Sequence, residues 1–188
     1  RNKSLIAAMA LNAIMPSVAK ASAAPTAEGE NQQLKAGVYY IVNDKRQAGT
    51  DLHVYVDENG LHGKNYTSPA ADFANVFVLH AKGDKYTIQS LKDGKYVQNV
   101  TASVPYKTGN DAHKFQIVYQ TQSSGTGKSY FNIYNDKVGA NDFCWHLDGQ
   151  RHVVRWYPLR DNGRTALGPS EFRLDPVTSL SKQQVLDR

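Results

Sequence analysis

Residues 85–100 read Lys-Tyr-Thr-Ile-Gln-Ser-Leu-Lys-Asp-Gly-Lys-Tyr-Val-Gln-Asn-Val, and this stretch sets the register for the rest of the chain. Tyr86 and Ile88 alternate with Thr87 and Gln89, Asp93-Gly94 breaks the run, and Tyr96, Val97 and Val100 resume an apolar pattern. That is the signature of two short strands joined by a turn. The same skeleton (aromatic, any residue, Ile, any residue, then Asn or Ser) occurs at Tyr39–Asn43 and Phe131–Asn135. Ile41, Ile88 and Ile133 therefore fall 47 and 45 residues apart, a period that predicts a threefold internal repeat.

Each unit offers four short alternating runs separated by Gly, Asn, Asp and Lys clusters. In the first these are Val38–Val42, Leu52–Val56, a weak segment near Leu61, and Asn75–Leu79. The second has Tyr86–Gln89, Tyr96–Val100, Ser103–Tyr106 and Lys114–Tyr119; the third has Phe131–Asn135, Phe143–Leu147, His152–Tyr157 and Glu171–Asp175. Asp57-Glu58-Asn59-Gly60 reads as a hairpin whose Asn-Gly supplies two positive φ angles, and Asp148-Gly149 as a second tight turn. Each unit closes on a Phe two residues before an aliphatic: Phe77-Val78-Leu79, Phe115-Gln116-Ile117 and Phe172-Arg173-Leu174. No persuasive amphipathic helix interrupts the runs. The expected fold is all-β, a β-trefoil of three four-stranded repeats over residues 35–178, in which six strands close a barrel and three hairpins cap it.

The ends read differently. Arg1 and Lys3 precede an apolar run from Leu5 to Val18, and Ala21-Ser22-Ala23 has the spacing a signal peptidase accepts, so residues 1–23 are expected to be a secretory signal peptide. The run is too short to span a membrane comfortably, and no Cys follows the cleavage site, so no membrane anchor is expected. Residues 24–34 read as a polar linker. Ser179–Arg188 looks like the start of a C-terminal helix or a link to a further domain, capped at Ser179 or Ser181. With no initiator Met, this suggests a piece of a longer exported protein, secreted or periplasmic.

Charge and cysteine content narrow the function. The chain has 22 Lys+Arg against 17 Asp+Glu; Arg1, Lys3 and Lys20 lie in the leader, which has no acid, leaving 19 against 17. So small an excess argues against a nucleic-acid partner. A single cysteine, Cys144, allows no intrachain disulfide, and the fold must rest on its core.

The Tyr-x-Ile-x-Asn/Ser pattern, the Gly-Lys-Tyr-Val of Gly94–Val97 and the Phe-x-Leu-x-Pro-Val of Phe172–Val177 resemble the ricin-type β-trefoil lectin domain. The Gln-x-Trp that closes the family's repeats is absent, replaced by the Phe segments quoted above. The resemblance implies a non-catalytic carbohydrate-binding module whose partner is a glycan or polysaccharide. A protein-binding trefoil, a protease inhibitor or adhesin using the loops Gln120–Lys128 and Asp161–Pro169, is the alternative.

A sugar site needs a flat ring for the C–H face of a pyranose and planar polar groups for its hydroxyls. The densest supply is in the third unit, where Trp145, His146, Asp148, Gln150, His152, Trp156 and Tyr157 lie within thirteen residues around one hairpin. Strand alternation puts Phe143, Trp145 and Leu147 on one face and Cys144 and His146 on the other, so one tryptophan can be core while its neighbours are exposed. His146, Asp148 and His152 read as a polar turn rather than a metal site, and Cys144 as a small buried hydrophobe rather than a nucleophile. No nucleophile, base and stabiliser can be named together, so no catalysis, cofactor or metal is expected. Arg151, Arg155, Arg160 and Arg164 add positive charge to this unit and could meet a sulfated or uronic-acid glycan.

Overall fold

The repeated skeleton builds the first strand of each unit, and its aromatic and Ile side chains point inward together. A computed structural model describes residues 34–120, 129–136, 143–156 and 168–180. In the first unit the strands are β1 (Gly37–Asn43), β2 (Leu52–Asp57), β3 (Gly60–Asn65) and β4 (Phe77–Lys82). The second has β5 (Lys85–Ser90), β6 (Tyr96–Val97), β7 (Thr108–Gly109) and β8 (Gln116–Gln120), and the third β9 (Tyr130–Tyr134), β10 (Cys144–Leu147), β11 (Val153–Trp156) and β12 (Arg173–Pro176).

Six of these strands close a barrel. β1 pairs antiparallel with both β4 and β12, β4 with β5, and β8 with β9. Reciprocal hydrogen bonds between Tyr86 and Phe115 (2.9 and 2.7 Å) and between Phe131 and Phe172 (2.7 and 2.8 Å) close the two remaining seams. The repeat thus appears as geometry: Tyr39 faces Phe77, Tyr86 faces Phe115, and Phe131 faces Phe172. Ile41, Ile88 and Ile133 are fully buried in the same core, with Leu79, Ile117 and Leu174 completing the layer. Burying each such aliphatic contributes roughly 1.5–3 kcal/mol. A closed barrel also leaves no unpaired strand edge among these six.

The closing motif of the first unit follows the same rule as the other two. Phe77 and Leu79 enter the barrel, whereas Val78 points outward into a second cluster with Val38, Phe73, Val76, Leu91 and Val177. Leu34, assigned to the linker from sequence, is buried in the main core. Ser179 and Leu180 are not helical, and Leu180 packs on the outer cluster; the rest of the expected C-terminal helix, the signal peptide and most of both suspected loops lie outside the described residues.

Three hairpins cap the barrel and are stitched to one another. Leu61 N–H donates to Tyr106 O (2.8 Å), Tyr106 N–H to Val153 O (2.9 Å), and Gly63 N–H to Arg151 O (2.7 Å). The second hairpin is shorter than the sequence suggests. Only Tyr96–Val97 of the expected Tyr96–Val100 strand is paired, and the return strand is Thr108–Gly109 rather than Ser103–Tyr106. Pro105 has no N–H to donate to a ladder and makes only a single bridge, to Val154.

Two turns also differ from expectation. At Asp57–Gly60 only Gly60 has positive φ (117°); Asn59 stays in an ordinary conformation because its N–H is held by Asp57 Oδ1 at 2.7 Å. At the third hairpin the left-handed residue is Arg151 (φ 66°), not Gly149. Asp148 Oδ1 accepts from the N–H groups of Gln150 (2.9 Å) and His152 (2.8 Å), and this places the bend two residues beyond the Asp-Gly pair.

Candidate functional site

In the third cap hairpin, β10 and β11 pair Cys144 with Trp156, Trp145 with Arg155, His146 with Val154, and Leu147 with Val153. The inner face carries Trp145, Leu147 and Val153 into the main core. Trp145 is completely buried, edge-on to Phe115 (5.5 Å between centroids) and Phe172 (6.2 Å), and its Nε1 meets no acceptor among the described residues. It therefore plugs the barrel and cannot stack on a ligand, which corrects its assignment to a binding surface.

The outer face is more polar but largely self-satisfied. His146 is 7% exposed and stacks on the half-buried Trp156 (5.7 Å, 25° between planes). Arg46, from the loop after β1, donates from Nε to Leu147 O (2.9 Å) and brings Nη2 to 3.4 Å from His146 Nε2. A guanidinium can only donate, so Nε2 is the acceptor, and Nδ1 carries the proton toward Ser170 Oγ at 2.8 Å. Burial first, then the Arg46 charge, hold the His146 pKa down at about 4, with Asp148 pulling the other way. Burial pushes the Cys144 thiol up to about 12. Such a thiol is not a nucleophile at neutral pH.

The remaining expected residues separate in role. Asp148 spends one oxygen on the turn, Gln150 is exposed, and Tyr157 lies outside the described residues. Arg160 and Arg164 do as well, while Arg151 reaches Gln47 and Arg155 covers the Phe143 ring at 3.5 Å and donates to Thr101 O. Among the described residues no group of three or more His, Cys, Asp or Glu is placed to hold a metal, and no helix is long and apolar enough to cross a membrane.

His152 leads to a surface that the sequence reading does not pick out. Its ring meets His62 of the first hairpin edge-on at 4.8 Å. From His62 the rings continue to Tyr55 (5.7 Å), Tyr66 (5.9 Å), His53 (6.1 Å) and Tyr40 (4.6 Å). The cause is period-two alternation. Leu52, Val54 and Val56 point into the barrel, so His53, Tyr55 and Asp57 must point out, and register places Lys64 opposite His53 and His62 opposite Tyr55. Tyr40 joins them because Tyr39 and Ile41 are inward on β1. The three tyrosines, His62 and His152 are partly exposed, and only His53 is buried.

Hydrogen-bonding groups flank this strip. Asp57 lies 3.0 Å from His62, and Asp148 lies 3.5 Å from His152. Lys64 Nζ sits 5.7 Å from the centre of the Tyr66 ring. Burial raises the Tyr55 and Tyr66 pKa values, and the nearby Asp57 carboxylate raises both further, as Asp72 does for Tyr66. At the other end Arg173 binds Asp51 (2.8 Å), Asp175 (2.9 Å) and Asp44 (3.4 Å), which fixes the β12 rim beside His53. Those bonds from Arg173 hold the Asp51 carboxyl below its ordinary range. Alternation in the sequence shows the outward faces of β2 and β3; the joining of Tyr40, Tyr66 and His152 to them depends on tertiary register.

No family model matches the chain, and no curated protein sequence matches it. Solved structures do. The Macrolepiota procera ricin B-like lectin in complex with lactose aligns at a TM-score of 0.53 and 14% identity over 74% of this chain and 94% of that one. The Rhizoctonia solani agglutinin aligns at 0.50 and 21% over 76% and 96%. The Polyporus squamosus lectin bound to a human-type influenza-binding epitope aligns at 0.52 and 15% over 74% of this chain and 48% of that chain. The fold is thus the β-trefoil, as the repeat implies, and ricin B-like lectins are among the solved structures that share it.

Proposed function

We propose that this protein is a non-catalytic carbohydrate-binding β-trefoil that serves as a module of an exported protein. The observation that carries this is the strip Tyr40–His53–Tyr66–Tyr55–His62–His152, whose rings, all partly exposed except His53, are bordered by carboxylates, a lysine and the Asn65 amide. Partly exposed tyrosines offer C–H faces a flat partner, and Asp51, Asn65 and Asp72 beside them offer acceptors and donors for hydroxyls. The glycan-bound lectins that share the fold support the same reading. The apolar leader ending in Ala21-Ser22-Ala23 supports export, and a lectin of twice this span supports a modular role.

A glycan array followed by calorimetry tests the binding. Tyr55→Ala and Tyr66→Ala are expected to weaken binding at least tenfold while leaving the melting temperature within a few degrees. No binding to any glycan on the array would overturn the function. Mass spectrometry of the protein recovered from outside the producing cell tests export; retention of residues 1–23 there would remove the signal-peptide assignment.

A further inference from the structure

The strip is formed from the outward face of a two-stranded ladder and its neighbours, so it is a surface path rather than a pit. Its six rings follow one another at 4.6–6.1 Å from β1 across β2 and β3 to the third hairpin; five are partly exposed, and the buried His53 supports Tyr40 and Tyr66 from beneath the path. Steps of that size match successive sugars of an extended chain, and a single terminal sugar would use two rings and leave the others idle. Five aspartates border the path: Asp51 and Asp175 are paired with Arg173, and Asp72 with Lys92 at 3.7 Å, whereas the ion-pair partners of Asp57 and Asp148 are His62 and His152. Of the basic side chains beside the rings, Lys64 lies over Tyr66.

We infer that the strip is a track for an extended, non-anionic polysaccharide several sugars long, with the rings of the first unit as its main platform and His152 of the third unit as its far end. This deepens the carbohydrate-binding reading above and rests on it. The Asp57 and Asp148 carboxylates, which face histidines rather than Lys or Arg, accept hydrogen bonds from neutral hydroxyls or amino groups and repel uronate or sulfate. Of the arginines that from sequence alone suggest an anionic glycan, Arg151 and Arg155 have their guanidinium groups held by Gln47, Thr101 and Phe143 rather than projecting over the rings.

Calorimetry with three series of oligomers tests this: a neutral glucan and a partly deacetylated amino-sugar chain, each of one to six units, and a uronate chain of the same lengths. Affinity for at least one non-anionic series should rise tenfold or more between one unit and four, and the uronate series should bind at least tenfold more weakly. Tyr40→Ala and His152→Ala, at the two ends, should weaken the hexamer severalfold and leave the dimer nearly unchanged. Equal affinity for monomer and hexamer, or preference for uronate, would overturn the track while leaving a lectin in place. If none of the three series binds but the array shows a glycan ligand, the track alone falls. If no glycan binds at all, both readings fall together.

Discussion

Asp57 and Asp148 occupy corresponding places, Asp57 as the last residue of β2 and Asp148 directly after β10, each accepting from the N–H two residues on. Beyond that shared bond the two turns diverge: the first places glycine at its left-handed position, while the third places Arg151 there and leaves Gly149 in an ordinary conformation. A side chain in that region costs on the order of 1–2 kcal/mol, part of which glycine returns as flexibility of the unfolded chain. Arg151→Gly should therefore stabilise the fold by about 0.5–1 kcal/mol in urea unfolding, even with the exposed bond to Gln47 lost. Gly149→Ala places a Cβ in open space and should be neutral or slightly stabilising by the same measurement. Destabilisation by Arg151→Gly beyond about 1 kcal/mol would show that the Gln47 contact outweighs the backbone strain. The Asp-Gly and Asn-Gly pairs are visible in the sequence as turns. Which residue takes the positive φ is not visible, because that depends on the aspartate side chain choosing an N–H.

At the scale of the element, the first cap hairpin shows how one alternation serves packing and recognition together. Its inner face, Leu52, Val54, Val56 and Leu61, is core, and its outer face, His53, Tyr55, His62 and Lys64, belongs to the strip. The hairpin must approach its neighbours closely for this to work. A Cβ at Gly60 would lie 2.5 Å from Tyr106 O, and one at Gly63 would lie 2.8 Å from Leu147 Cδ1. Gly60→Ala should cost about 2–3 kcal/mol or more, since backbone conformation and a backbone clash act together. Tyr55→Ala, on the outer face, should cost about 1 kcal/mol or less. Comparable losses from the two in denaturant melts would mean that the outer ring is structural, and binding data on Tyr55 would then need a folded control. The inner face is legible from the chain, because Leu52, Val54 and Val56 alternate with polar residues. Trp145 is the opposite case: its hairpin is rich in sugar-binding residue types, but parity on β10 sends the largest of them into the barrel. The strip itself crosses from the first hairpin to the third through His62 and His152, a contact made only when three units close, so no local window contains it.

Across the whole molecule, the threefold repeat that Ile41, Ile88 and Ile133 announce has a consequence for its response to acid. Closing the barrel buries histidines that the repeat does not specify. Burial is the leading reason that the pKa values of His53, His80 and His146 are lowered; Asp51 and Asp175 oppose it at His53, and Gln89 opposes it at His80. His146 falls furthest, from its ordinary 6.5 to about 4, chiefly by burial and then by the charge of Arg46, which reaches across from the first unit. An unfolded chain takes up a proton on this residue near pH 6.5, and the folded protein does so only near 4, so protons favour unfolding. The stability linked to neutral His146 is then fully present above about pH 6.5 and is lost as the pH falls toward 4. Allowing for partial solvent screening, the loss is on the order of 2 kcal/mol for this residue. Asp51 adds to it only at lower pH, since its carboxyl is held below its ordinary 3.8 by Arg173 and begins to cost stability as protonation sets in there. Urea midpoints should therefore be nearly level from pH 8 to 7 and decline between 6.5 and 4. Arg46→Met should shallow that decline, because without the cation His146 titrates nearer its unfolded value, even though the bond to Leu147 O is lost and overall stability drops. The slope separates the two effects: a variant that is uniformly less stable, with an unchanged slope from pH 6.5 to 4, would show that Arg46 acts only as a hydrogen-bond donor and adds nothing to the lowering of the His146 pKa by burial.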